Sequence, residues 1–188
     1  MKVLVLGIGN ILFGDEGIGV HLMNYLKLNY KFTSPLDSNQ TPTHSLEFID
    51  GGTLAQALIP LIVEYDFVLI LDTVDVSGGK IGDVYSFSFD ALPKQVSWAG
   101  SAHEVEMLQT LRLTQVMGDL PQIHIVGIIP EIIGEDTTFA LSKELLSNVA
   151  TMEAEAIKQL ESLGFSAKKI PSPLPLQEIA DKSYKGFD

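Results

Sequence analysis

Hydrophobic and polar positions follow two rhythms along the chain. Val3 to Leu6 is a continuous apolar run ended by Gly7, the pattern of a strand buried on both faces. Residues 15–30 carry Ile18, Leu22 and Leu26 at i+4 spacing and predict a helix. Leu46 to Ile49 predicts a second strand, closed by Asp50-Gly51-Gly52. Thr53-Leu-Ala-Gln56 then has the form of a capping box and opens a second helix. Phe67 to Leu71 predicts a third buried strand, ended by Asp72. Val84 to Phe89 follows the Ser77-Gly78-Gly79 turn, with Ser86 and Ser88 as its polar positions. No crossover helix fits before it, so this strand is expected to run antiparallel at an edge. A second capping box, Ser101-Ala-His-Glu104, opens a helix with Val105, Leu108 and Leu111 on one face. Ile123 to Ile129 predicts the last strand. A long helix over residues 138–163 carries the stripe Leu145, Val149, Met152, Ala156 and Leu160, with Gly164 as its C-terminal cap.

That order is βαβαββαβα. It predicts an α/β fold, a three-layer αβα sandwich around a mainly parallel five-stranded sheet with one antiparallel edge strand. Residues 1–164 are expected to form one αβα catalytic domain. Residues 165–188, with Pro171, Pro173 and Pro175, are expected to be an irregular tail. Lys31 to Ser45 is polar, contains Pro35 and Pro42, and reads as a loop available for docking.

Composition narrows the chemistry. A chain of 188 residues has room for one sizeable core. With 46% hydrophobic and 19% charged residues it is neither disordered nor a coiled coil. The absence of cysteine excludes disulfides, thiolate metal sites and a cysteine nucleophile. A net charge of −12 argues against a nucleic-acid partner, because phosphate binding needs a basic surface. No run is long enough to span a membrane or to serve as a leader, so the expected compartment is the cytoplasm.

Gly7-Ile8-Gly9-Asn10 sits where a dinucleotide fingerprint would sit. Leu12 replaces its third glycine, and Asp50 lies about twice as far along as a ribose-binding acid would. A tight turn with close backbone approach accounts for these glycines, and no nucleotide is expected. The acids are more informative. Asp15 and Glu16 follow the first strand, Asp50 ends the second, and Asp72 and Asp75 close the third. In a parallel sheet these strand ends share one edge and line one crevice. Each acid alone reads as a loop or helix cap. Among the histidines, His21 is expected at a helix surface, His44 in the polar loop and His124 at the start of a strand. His103 falls in the first turn of a helix, where the dipole favours a neutral imidazole, the form that ligates metals. Two to four carboxylates with one imidazole would suit a divalent-cation or acid–base site with open coordination positions. Neither a Gly-x-Ser-x-Gly elbow nor a His-Glu-x-x-His motif is present.

The block Gly7-Ile-Gly-Asn-Ile-Leu-Phe-Gly-Asp-Glu-Gly-Ile-Gly-Val20 resembles the opening signature of the nickel–iron hydrogenase maturation proteases. These endopeptidases trim the C-terminal extension from the hydrogenase large subunit. Asp50-Gly-Gly-Thr53, Leu69-Ile-Leu-Asp72 and Ser101-Ala-His103 match later blocks in the same order. The resemblance implies an αβα sandwich and a nickel site formed by Glu16, Asp72 and His103, with Asp50 as the candidate catalytic carboxylate of an aspartyl-type endopeptidase. It implies that the partner is the large-subunit precursor, which presents the nickel, and that cleavage reports completed metal insertion. The metal would act as a Lewis acid on the scissile carbonyl, or would only dock the precursor while Asp50 serves as general base. A monomer meeting its precursor transiently is the expected state. Two alternatives are a non-proteolytic chaperone for a metallated partner and a nucleotide-dependent α/β enzyme.

Overall fold

The apolar runs assemble into a five-stranded sheet. The computed structural model describes residues 1–53, 55–91, 96–97, 111–118, 120–131 and 136–187. Strand β1 (Lys2–Ile8) leads through a 3-10 turn (Gly14–Gly17) into α1 (Ile18–Asn29). Then come β2 (Tyr30–Thr33), β3 (Ser45–Gly52), α2 (Ile59–Ile62), β4 (Phe67–Thr73), β5 (Asp75–Val76), β6 (Val84–Ser88) and β7 (Val96–Ser97). Residues 111–117 are helical (α3). The chain continues through β8 (Gln122–Ile128), α4 (Lys143–Ser162), β9 (Ser166–Lys169) and α5 (Leu176–Lys182).

The main sheet has the order β3-β1-β4-β8-β6. β3, β1, β4 and β8 run parallel, and β6 closes one edge antiparallel to β8. The α/β class, the five strands and the antiparallel edge expected from the sequence are therefore present. Two short ribbons, β2–β9 and β5–β7, lie outside this sheet.

Alternation along the central strands sorts the core into two layers. Val3, Val5, Leu69 and Leu71 face α1, α4 and α5, packing on Ile18, Leu22, Leu26, Leu145, Met152 and Leu160. Leu4, Leu6, Val68 and Ile70 face the other way, with Ile62 of α2 and Leu111 of α3. Both faces of β1 and β4 are covered, which is why those strands read as unbroken apolar runs. The connection from β1 to β3 carries α1 on one face, and the connection from β3 to β4 carries α2 on the other. The crevice between the carboxyl ends of β1 and β4 is thus a topological switch point, where α/β proteins place their ligands.

Three local expectations change. The long helix begins at Lys143, five residues later than expected, because Ser142 is its N-cap and accepts from the Leu145 N–H at 3.1 Å. It ends as expected at Gly164 (φ 93°): the Gly164 N–H donates to the Glu161 carbonyl and the Phe165 N–H to the Leu160 carbonyl, the Schellman pattern. The segment from residue 165 onward is not irregular. β9 pairs antiparallel with β2, and α5 buries Leu176, Ile179 and Ala180. Prolines end up between these elements and as the N-cap, Pro175, where a missing N–H costs nothing. No helix among the described residues is long and apolar enough to cross a membrane.

His21 also departs from expectation. It is fully buried on α1, the helix against which α5 packs. Neither ring nitrogen has a hydrogen-bond partner among the described residues. Burial pushes its pKa down to about 4, against a smaller opposing pull from the Asp181 carboxylate. The folded ring is neutral, while the unfolded ring protonates near pH 6.5. Its contribution to stability is therefore complete above pH 6.5 and declines toward pH 4, by about 3 kcal/mol in all. Urea unfolding of the native chain and of His21→Leu at pH 7, 5.5 and 4 is expected to show the variant losing less stability over this interval. Equal losses would exclude a buried neutral His21.

Candidate active site

The first turn after β1 is built by backbone contacts. Gly9 takes φ 138°, and a Cβ there would collide with the Glu16 carbonyl oxygen. The Gly9 N–H donates to the Gly52 carbonyl at 3.0 Å, joining the turn to the end of β3. The Asn10 side-chain oxygen accepts from the Leu12 N–H at 3.1 Å, an Asx turn, and its carbonyl accepts from the Phe13 N–H at 3.1 Å. At Gly19, any Cβ would meet the carbonyl oxygens of Leu71 and Ile8, so the start of α1 rests directly on the ends of β4 and β1.

This framework brings three expected carboxylates to one sheet edge. Glu16 is half-buried in the 3-10 turn, which contacts β4. Asp50 lies opposite Gly7 near the end of β3. It is exposed, and its Oδ1 accepts the Gly52 N–H at 2.8 Å. Asp72 lies opposite Gly127 in β4 and is only 2% exposed. Its Oδ1 accepts the Thr73 N–H at 2.7 Å. His103 lies outside the described residues. Among the described residues no three His, Asp or Glu side chains gather as a metal-holding group. The donors at this edge are carboxylate oxygens, to which a divalent cation is chemically suited.

Asp15 and Asp75 do not share the role that their position in the sequence gave them. Asp15 is fully buried and turned toward the start of α4. Its carboxylate accepts from the Ser142 N–H at 2.8 Å, the Ser142 hydroxyl at 2.6 Å and the Glu131 N–H at 2.9 Å. These charge-assisted bonds make it a clamp between the first turn and α4. The sign of its role in the sequence is Ser142-Lys-Glu144, a capping residue with an acid two positions on. Asp75 is exposed on β5, opposite Ser97. His124 sits toward the opposite end of the sheet, its Nε2 2.9 Å from the Ser86 hydroxyl, and burial lowers its pKa. His44 remains in the loop, 2.8 Å from the Thr43 hydroxyl.

A groove of about 370 Å³ opens beside Asp50. Asn10, Leu12 and Thr53 line it, and Tyr184 reaches it from the segment after α5. Tyr184 carried no signal in the sequence, since only the packing of α5 brings it to this edge.

Comparison with known proteins identifies the family and the fold. Residues 20–159 match the family HycI, hydrogenase maturation protease. That span begins beyond most of the glycine-rich opening block. The chain is 54% identical over 168 residues to the protein HydD of Wolinella succinogenes, covering 89% of this chain and 100% of that protein. It is 29% identical to the hydrogenase 2 maturation protease of Escherichia coli, over 70% of this chain and 74% of that one. Among solved structures, the hydrogenase maturating endopeptidase HybD from E. coli aligns with a TM-score of 0.73 at 25% identity, covering 90% of this chain and 98% of its own.

Asp15 and Asp50 predict opposite outcomes on substitution. Asp15→Ala leaves three donors of the α4 junction without their acceptor and is expected to cost about 2–4 kcal/mol in urea unfolding. Asp50→Asn, at an exposed position, is expected to stay within about 0.5 kcal/mol of the native chain. An unchanged midpoint for Asp15→Ala would rule out the clamp.

Proposed function

Because the chain belongs to the hydrogenase maturation protease family, we propose that it removes the C-terminal extension of the nickel-loaded large-subunit precursor of a nickel–iron hydrogenase. The observation carrying this reading is the shared edge of Glu16, Asp50 and Asp72 at the switch point, beside a groove able to take a peptide. Nickel enters as part of the substrate. Glu16 and Asp72, with His103, are the side chains proposed to engage the metal that the precursor presents. Delivery by the partner removes any need for this chain to select nickel, which it could not do by affinity against copper or zinc.

The side chains divide the work by exposure. Asp72 is buried near the end of β4, and its carboxylate is an oxygen donor suited to the divalent cation that a metallated partner would present. Asp50 is exposed, with Oδ1 already held by the Gly52 N–H. A carboxylate held in this way suits a general base that takes a proton from the attacking water. The activated water adds its oxygen to the scissile carbonyl carbon, the C–N bond breaks, and the protonated Asp50 carboxyl returns its proton to the departing amine. This assignment makes the chain an aspartyl-type endopeptidase in which the metal docks the precursor. The reading includes a cytoplasmic setting, to which a chain without cysteine is suited, and a monomer that meets its precursor transiently.

Mass spectrometry of a nickel-loaded precursor mixed with the protein tests the reaction. Loss of a C-terminal peptide is expected, and a nickel-free precursor is expected to remain intact. Glu16→Gln and Asp72→Asn are each expected to slow processing about a hundredfold or more while the chain stays folded. Equal cleavage of nickel-free precursor, or full activity in both variants, would refute the proposal.

A further inference from the structure

The start of α5 is held in place by more than apolar contact. Asn29 of α1 clasps the backbone of Leu174: its Nδ2 donates to the Leu174 carbonyl at 2.9 Å, and its Oδ1 accepts the Leu174 N–H at 2.8 Å. Gln177 of α5 does the same to the strap before α4. Its Oε1 accepts the Leu141 N–H at 3.0 Å, and its Nε2 donates to the Phe139 carbonyl at 2.9 Å. Leu176, Ile179 and Ala180 are buried between these ties. The residues that follow are thereby delivered to one location. Tyr184 rests on Phe139, ring centroids 5.7 Å apart, and the Lys185 ammonium lies 5.4 Å from its ring centre.

We propose that Tyr184 is a specificity-determining wall of the substrate groove, holding a large apolar side chain of the precursor peptide next to the scissile bond. The inference rests on the proteolytic reading above and adds a recognition element to it. Four observations support it. Tyr184 is 58% exposed and Leu12 is 41% exposed, two large apolar surfaces facing a common cavity at the lip of the site. The cavity, about 370 Å³, has the capacity for one bulky side chain with its flanking backbone. Asp50 lines the same cavity, so a peptide residue seated against Tyr184 lies within reach of the candidate base. Finally, Asn10 and Thr53 supply polar groups along the rim for a peptide backbone. An aromatic ring already fixed by Phe139 gains contact area with little ordering cost, which is how tyrosine contributes at recognition surfaces.

The test uses the full chain and the full-length nickel-loaded precursor as substrate, with each precursor residue near the scissile bond changed to Ala in turn. Tyr184→Ala is expected to raise KM about tenfold with kcat changed less than twofold, and Tyr184→Phe is expected to behave as the native chain. At one precursor position, Ala is expected to raise KM about tenfold for the native chain and less than twofold for Tyr184→Ala. That coupling is the readout a merely structural tyrosine would not move. An unchanged KM for Tyr184→Ala, or no coupled position, overturns the inference while leaving the protease reading intact. If the native chain cleaves nothing, the protease reading fails instead. Anisotropy of a fluorescein-labelled peptide of the same region then decides the groove. About tenfold weaker binding by Tyr184→Ala supports it, and equal or absent binding overturns it.

Discussion

The whole arrangement depends on backbone meeting backbone at the carboxyl ends of β1 and β4. Gly19 lets the first turn of α1 lie on the carbonyls of Ile8 and Leu71, and Gly9 lets the preceding turn fold back under Glu16. A single methyl group at either place would wedge the helix away from the sheet. The interior is too densely packed to absorb that displacement. Because Glu16 lies between these two glycines in the chain, its backbone is placed against the end of β4 by these contacts. The turn is rich in glycine because its backbone must approach the sheet this closely.

Asp15 extends this constraint to the start of α4. Asp15 and Glu16 are consecutive acids in one 3-10 turn, so their side chains diverge. One is sent inward to three donors at the start of α4, and the other is left half-buried at the crevice. The Gly14 N–H also donates to the Thr138 carbonyl at 2.8 Å, and the Thr138 N–H donates to the Leu12 carbonyl at 2.8 Å. The strap before α4 is thus stitched to the turn from both directions. A buried carboxylate with three donors stabilises only the geometry in which all three converge, so Asp15 specifies where α4 begins as well as holding it.

Much of the fold was legible because the sheet's interior writes itself plainly. Val3–Leu6 and Phe67–Leu71 are buried on both faces and could be nothing but central strands, whereas Ser86 and Ser88 mark the strand that meets solvent. The placement of Glu16, Asp50 and Asp72 toward one sheet edge followed from strand order alone, since parallel strands must end on one edge. What was not legible depended on tertiary cover. His21 occupies a helical position that the pattern assigns to the surface, and its ring is instead buried, close to Gly17 of the first turn on a helix that α5 also contacts. Thr138 to Leu141 carries a pattern a helix could accept, but the backbone there is drawn into contacts with Leu12 and Gln177 instead. The segment after Gly164 has short elements separated by prolines, too brief for periodicity to declare itself.

That last segment shows how a weak element can still be decisive. A helix of seven residues has no stability of its own in water. α5 exists because Leu176, Ile179 and Ala180 are taken into the layer formed by α1, and because Asn29 and Gln177 hold the backbone at either side. His21, on the same helix α1, is fully buried, and its imidazole is neutral at ordinary pH and charged only well into the acid range. Tyr184 inherits its place from the packing of α5. Loosening α5 would withdraw the ring from the groove beside Asp50, so the packing of α5 on α1 and the shape of that groove are linked.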